Sequence, residues 1–126
     1  MIDHVEVIAE VTEVIQKIYT DYRFGKLQVH WMSDDELLEV NRTHLNHDYY
    51  TDIITFDYSR RKRISGELFI STDRIKDNAT TLGVSELNET RRVVAHGILH
   101  LIGFGDKTDA EAAVMREKEN EVLVNL

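Results

Sequence analysis

Two histidines four residues apart, His96 and His100, followed by Asp106, are the side chains in this chain best suited to hold a metal ion. The segment reads His-Gly-Ile-Leu-His-Leu-Ile-Gly-Phe-Gly-Asp. On a helix, i,i+4 spacing projects both imidazoles from one face with Cβ atoms about 6 Å apart, within reach of a single ion. Gly103 and Gly105 can take the left-handed backbone that ends a helix and turns the chain back, which lets Asp106 approach the same ion. Two nitrogens and one oxygen leave a fourth position open to water, the pattern of a catalytic zinc-type site. A metal so held lowers the pKa of a bound water toward ~7 and polarises a phosphoryl oxygen, which suits hydrolysis. The plainer alternative is a hydrogen-bonded core histidine on a buried helix, with Asp106 capping the helix that follows. Two imidazoles on one apolar stripe, each with two ring nitrogens to satisfy, weigh toward the metal. A zinc-peptidase helix carries glutamate after its first histidine; Gly97 stands there, so peptidase chemistry lacks its base.

The elements that must position these residues follow from periodicity. Ile8, Val11, Ile15, Ile18 and Tyr22 keep helical spacing at the start of the chain. Leu27 to Met32 alternates as a strand. Ser33 and Glu36 form a capping box for a helix through Leu45. Residues 51–58 and 66–71 read as two more strands. Ile75, Ala79 and Leu82 mark a short helix stopped by Gly83. Ser85 opens the histidine helix, almost wholly apolar from Val93 to Ile102, and Thr108 with Glu111 caps the last. Helices interleaved with a few strands in this order predict an α/β (α+β) fold, a sandwich around a small sheet.

With 126 residues and no Pro/Gly-rich linker or repeat, a single domain over 1–126 is expected. There is no cysteine, which excludes disulfides and thiolate ligands. No apolar run approaches ~18 residues, and the N-terminal residues lack a basic-then-apolar signal pattern, so a cytoplasmic location without a membrane span is expected. The net charge of −8 argues against coating nucleic acid by bulk electrostatics.

The motif His-Gly-x-Leu-His-Leu-x-Gly resembles that of the YbeY-type endoribonucleases, or ribosomal RNA maturation factors. Upstream, Asn41 and then Thr51-Asp52-Ile53-Ile54-Thr55-Phe56 are similar to that family's Pro-Thr-Asp segment, and Gly66-Glu67-Leu68-Phe69-Ile70-Ser71 to its glycine-acid strand. All three blocks keep the family's order. The resemblance implies a small mixed sheet with surrounding helices, zinc at the end of the buried motif helix, metal-dependent cleavage of single-stranded RNA, and a role in small-subunit ribosomal RNA maturation. It makes His96 and His100 the first two ligands. Asp106 stands where the family has a third histidine. Leu45 occupies the position of an arginine associated with substrate phosphate, and Tyr50 that of a proline. DNA is not an expected partner.

Several other residues have two readings. His44 and His47 flank Leu45 and Asn46; His44, the stronger, is either a surface residue or a catalytic donor to phosphate or extra ligand. Arg42 is a substitute for the missing arginine or a solvated helix residue. Arg60, Arg61, Lys62 and Arg63 either keep a hairpin tip soluble or form an RNA-binding arm. Tyr49, Tyr50 and Tyr58 stack on bases or line the rim. Asp52 and Glu67 are the nearest acidic groups for a base; Glu67 otherwise faces solvent or pairs with Arg91 or Arg92. Glu117, Glu119 and Glu121 lie on a last helix expected to cover the sheet or to meet a partner. The leading function is therefore an endoribonuclease. Its competitors are a non-catalytic ribosome-biogenesis factor, favoured by Leu45 and the negative charge, and a metal-dependent hydrolase of another substrate.

Overall fold

The computed structural model describes residues 2–126. In chain order the elements are α1 (His4–Ile18), β1 (Arg23–Met32), α2 (Asp34–Leu45), β2 (Ile53–Asp57), β3 (Arg63–Ser71), α3 (Thr72–Leu82), α4 (Glu86–Ile102) and α5 (Asp109–Val124). Each helix begins where a short polar side chain takes up a free backbone N–H: Asp3, Ser33, Ser71, Ser85 and Thr108 are the caps. Ser33 with Glu36 and Thr108 with Glu111 are full capping boxes.

The sheet has strand order β1-β3-β2 and is mixed, β1 running parallel and β2 antiparallel to β3. Alternation along β3 sends Ile64, Leu68 and Ile70 to one face, all fully buried. α4 lies on that inner face against β2 and β3, with α1, α3 and α5 packed around it. Gly97 permits the close approach, since a Cβ there would sit 2.7 Å from Ile53 Cδ1 and 3.0 Å from Leu68 Cδ2. The opposite, outer face carries His30, Phe69 and Ile54 in one cross-strand row. α2 packs against it, contacting β3 and β2, with its Leu37 and Leu38 buried.

The element order and the mixed sheet match the expectation, with differences at the boundaries. α1 stops at Ile18, so Tyr22 lies beyond it, and the buried stripe is Val7, Val11 and Ile15 rather than one through Ile8. β1 begins at Arg23, with an irregularity between Phe24 and Leu27 that breaks the alternation a sequence pattern depends on. β3 extends back to Arg63, and α3 starts three residues early because Ser71 both ends the strand and caps the helix. α5 packs on α4 and α1 instead of covering the sheet. Among the described residues no helix is long and apolar enough to cross a membrane.

Candidate metal centre

α4 carries His96 and His100 one turn apart, with ring centroids 4.7 Å from each other. The helix ends at Gly103, whose φ of 129° only glycine adopts easily; Gly103 and Phe104 donate their N–H groups to the carbonyl of Leu99, each at 3.1 Å. Phe104 then packs edge-on against Tyr19 with centroids 6.0 Å apart, tying the turn to the end of α1. The returning chain brings Asp106 Oδ2 to 3.3 Å from His96 Nε2 and 3.4 Å from His100 Nε2.

Those distances fit a metal better than ion pairs. A charge-assisted N–H···O bond closes to about 2.7–2.9 Å. A tetrahedral ion with ligand bonds near 2.1 Å sets its donors roughly 3.4 Å apart. Among the described residues, His96, His100 and Asp106 form the group in which three such donor atoms lie within 4.8 Å of one another. Asp106 does not cap α5; Thr108 does.

Behind the pair stands a residue that sequence reasoning treated as one of three helix glutamates. Glu119 is buried at 2 % exposure and sits 2.6 Å from His96 Nδ1 through Oε2. A carboxylate at Nδ1 keeps the proton there and leaves Nε2 with its lone pair toward Asp106. The other oxygen of Glu119 accepts from Arg92 at 3.0 Å, and Arg92 also pairs with the equally buried Glu89. Burial disfavours the imidazolium of His96, but the hydrogen bond to Glu119 and the charges of Glu119, Asp106 and Asp52 outweigh it and raise its pKa. Burial likewise opposes the Glu119 carboxylate, yet His96 and Arg92 prevail and lower its pKa. The guanidinium of Arg92 is held charged, mainly by its bond to Glu89. Glu119 lies twenty-three residues from His96, and Glu117 and Glu121 beside it are exposed, so only the period of α5 relative to Met115 and Val122 could have singled it out.

Asp52 is near the same centre. Its pKa is raised, first by burial, with His96 and Arg92 pulling the other way. Its carbonyl accepts from Ser71 N–H at 3.0 Å, which pins it beside the start of β2.

The remaining candidates lie elsewhere. His44 is exposed, edge-on to Phe56 with centroids 6.0 Å apart, and stands outside the three-donor group. His47 stacks on Tyr49. Leu45 is 39 % exposed at the end of α2, and Arg42 is tied to Asp48 and Glu39. Tyr50 donates to Asp35. Arg60, Arg61, Lys62 and Arg63 are all exposed in the β2–β3 connection and the first residue of β3, with Arg61 at φ 56° in the turn. Lys62 reaches Asp21 at 3.7 Å. Glu67 pairs with His30 and Tyr58; it does not meet Arg91, which bonds Glu10, or Arg92, because its strand position faces outward while α4 lies inside.

Comparison with known proteins agrees with this geometry. The chain is 49 % identical over 116 residues to Endoribonuclease YbeY of Bacteroides thetaiotaomicron, covering 90 % of this chain and 85 % of that one. It is 50 % identical over 114 residues to the protein of the same name from Azobacteroides pseudotrichonymphae, covering 89 % and 82 %. The solution structure of TM1509 from Thermotoga maritima superposes with a TM-score of 0.64 at 25 % identity, covering 96 % of this chain and 84 % of that one. The family model described as Endoribonuclease YbeY matches residues 2–126, and the chain belongs to that family.

Proposed function

We propose that this chain, as a single metal-binding domain over residues 1–126, is a metal-dependent endoribonuclease of the cytoplasm. Its substrate is single-stranded RNA, and its role is in ribosomal RNA maturation and assembly of the small ribosomal subunit. The observation that carries this reading is the convergence of His96 Nε2 and His100 Nε2 on one oxygen of Asp106 at the mouth of a buried helix. The site fits a divalent ion with mixed nitrogen and oxygen donors, for which zinc is the assignment that the three-ligand pattern supports. Named relatives that share 49 % and 50 % identity over most of the chain carry the endoribonuclease designation.

When bound, the ion supplies Lewis acidity toward a phosphoryl oxygen and lowers the pKa of a water. His96, His100 and Asp106 would hold it. Glu119 orients His96 and keeps the proton at Nδ1, and Arg92 keeps Glu119 ionised. Asp52 is half-buried, and desolvation raises its pKa while His96 and Arg92 oppose the shift. In this reading His44 and the run from Arg60 to Arg63 would meet the RNA away from the ion.

The non-catalytic ribosome factor has two observations in its favour: Leu45 presents an exposed apolar side chain where the family resemblance calls for an arginine, and the net charge is −8. Cleavage of an end-labelled single-stranded RNA by metal-loaded protein, run beside His100→Ala, separates the two. Cleavage confined to the wild type establishes the enzyme; stoichiometric metal binding with no cleavage establishes the factor.

A further inference from the structure

The outer face of the sheet holds a second chemical site that the metal centre does not use. Strand alternation places Glu67 and Phe69 of β3, His30 of β1 and Phe56 of β2 on that face, away from α4. His30 stacks on Phe69 with centroids 4.5 Å apart, and Phe56 meets Phe69 edge-on at 5.5 Å. Beside them opens a cleft of about 130 Å³ lined by His44, Phe56, Tyr58, Glu67 and Phe69. Tyr58 is 57 % exposed.

Glu67 is the carboxylate of this cleft, beside the polar groups of His44 and Tyr58, and it is already oriented. Its Oε1 accepts from the Tyr58 hydroxyl at 3.1 Å, and its Oε2 lies 2.9 Å from His30 Nε2. Each oxygen of a carboxylate accepts more than one hydrogen bond, so both oxygens of Glu67 keep acceptor capacity beyond these two contacts. Aromatic walls with such a floor suit a flat heterocycle that has two adjacent N–H donors. Among RNA bases that is guanine, through N1–H and the N2 amino group; the paired edges of adenine, cytosine and uracil would each turn a lone pair toward the carboxylate.

The surroundings fit a polyanion threaded through this face. Arg63 begins β3 on the same side as Glu67, two alternations away, and its guanidinium lies across β1 at Gly25, where a Cβ would meet Arg63 Nε at 2.8 Å. Arg63 thus brings one cation of the basic run to this face, while Lys62 turns to Asp21. The metal helix and the cleft also flank one edge strand, β2, with Ile53 touching Gly97 on the inner side and Phe56 facing the cleft on the outer.

We propose that this cleft binds one unpaired guanine of an RNA strand, stacked against the aromatic side chains and donating N1–H and N2–H to Glu67. The choice of RNA rests on the ribonuclease reading above; the choice of guanine rests on the cleft alone.

The test is fluorescence anisotropy with labelled seven-nucleotide oligouridine carrying a central guanosine, adenosine or uridine, in excess chelator so that nothing is cleaved. The guanosine oligomer is expected to bind about tenfold tighter than the other two, the scale of one well-formed bidentate base contact. Glu67→Gln, which keeps the shape and loses the second acceptor, should bring the three to within about twofold. Tyr58→Ala removes a largely exposed ring without opening the core and should weaken guanosine binding severalfold. Equal affinity for all three oligomers in the wild type overturns the proposal, as does a guanosine preference that survives both variants. Cleavage of the same oligomers by metal-loaded wild type and by His100→Ala is scored separately. Cleavage together with equal binding of the three oligomers removes the cleft and leaves the nuclease; a guanosine preference in binding without cleavage does the reverse.

Discussion

Two histidine–glutamate pairs occupy opposite sides of the sheet, and they differ in what surrounds them. His96 and Glu119 meet at 2.6 Å with Glu119 almost sealed from solvent, and Arg92 and Glu89 extend the pair into a buried chain of charges. His30 and Glu67 meet at 2.9 Å with side chains 39 % and 25 % exposed. The buried pair has no water to replace a lost partner, so each member depends on the next. The outer pair is solvated and exchanges partners at small cost. The first arrangement is suited to fixing a ligand nitrogen, the second to receiving an incoming molecule.

The largest break in this comparison should come at the ligands themselves. His100→Ala is expected to abolish stoichiometric metal binding and to lower RNA cleavage on the order of a thousandfold or more, measured by metal analysis of the purified protein and by gel-resolved cleavage. Next comes Glu119→Gln. It should weaken metal binding about ten- to a hundredfold in a chelator competition, while His30→Gln on the outer pair leaves that affinity unchanged. An equal loss from both would show that the two pairs do the same work.

Smaller effects sharpen the inner side. Gly97→Ala must push α4 away from Ile53 and Leu68 and should cost about 1–3 kcal/mol in denaturant unfolding. His30→Gln should cost no more than about 1 kcal/mol in the same experiment. Asp52→Asn should act in the other direction. Its folded pKa lies above the usual 3.8, so the folded state takes up its proton more readily than the unfolded chain. The burial penalty is absent well below pH 3.8 and is complete once pH exceeds the folded value. The variant should therefore melt a few degrees higher at neutral pH, with the gain fading as pH falls toward 3.8. A gain that persists in acid would assign the effect to something other than the buried charge.

Much of the scaffold was legible because its signals are local. A cap and its partner are three residues apart, Gly83 and Gly103 end helices at their own positions, and the alternation of β3 is visible within nine residues. Where local signals overlap, reading failed: Ser71 serves strand and helix at once, and the irregularity after Phe24 hides the first third of β1. Glu67 looked free to pair with Arg91 or Arg92, and only the side of the sheet on which α4 packs decided otherwise.

The candidate site divides in the same way. His96, His100 and Asp106 are brought into one group by helix pitch and by a glycine turn, both written into an eleven-residue stretch. Glu119 and Arg92 belong to different helices, and the cleft around Glu67 draws on α2 and on two strands of the sheet with the residue just past β2. Pitch and capping act over one or two turns and leave a mark in the order of residues. A pairing between elements depends on how α5 docks on α4, or α2 on the sheet, and that is decided by the packing of the whole core.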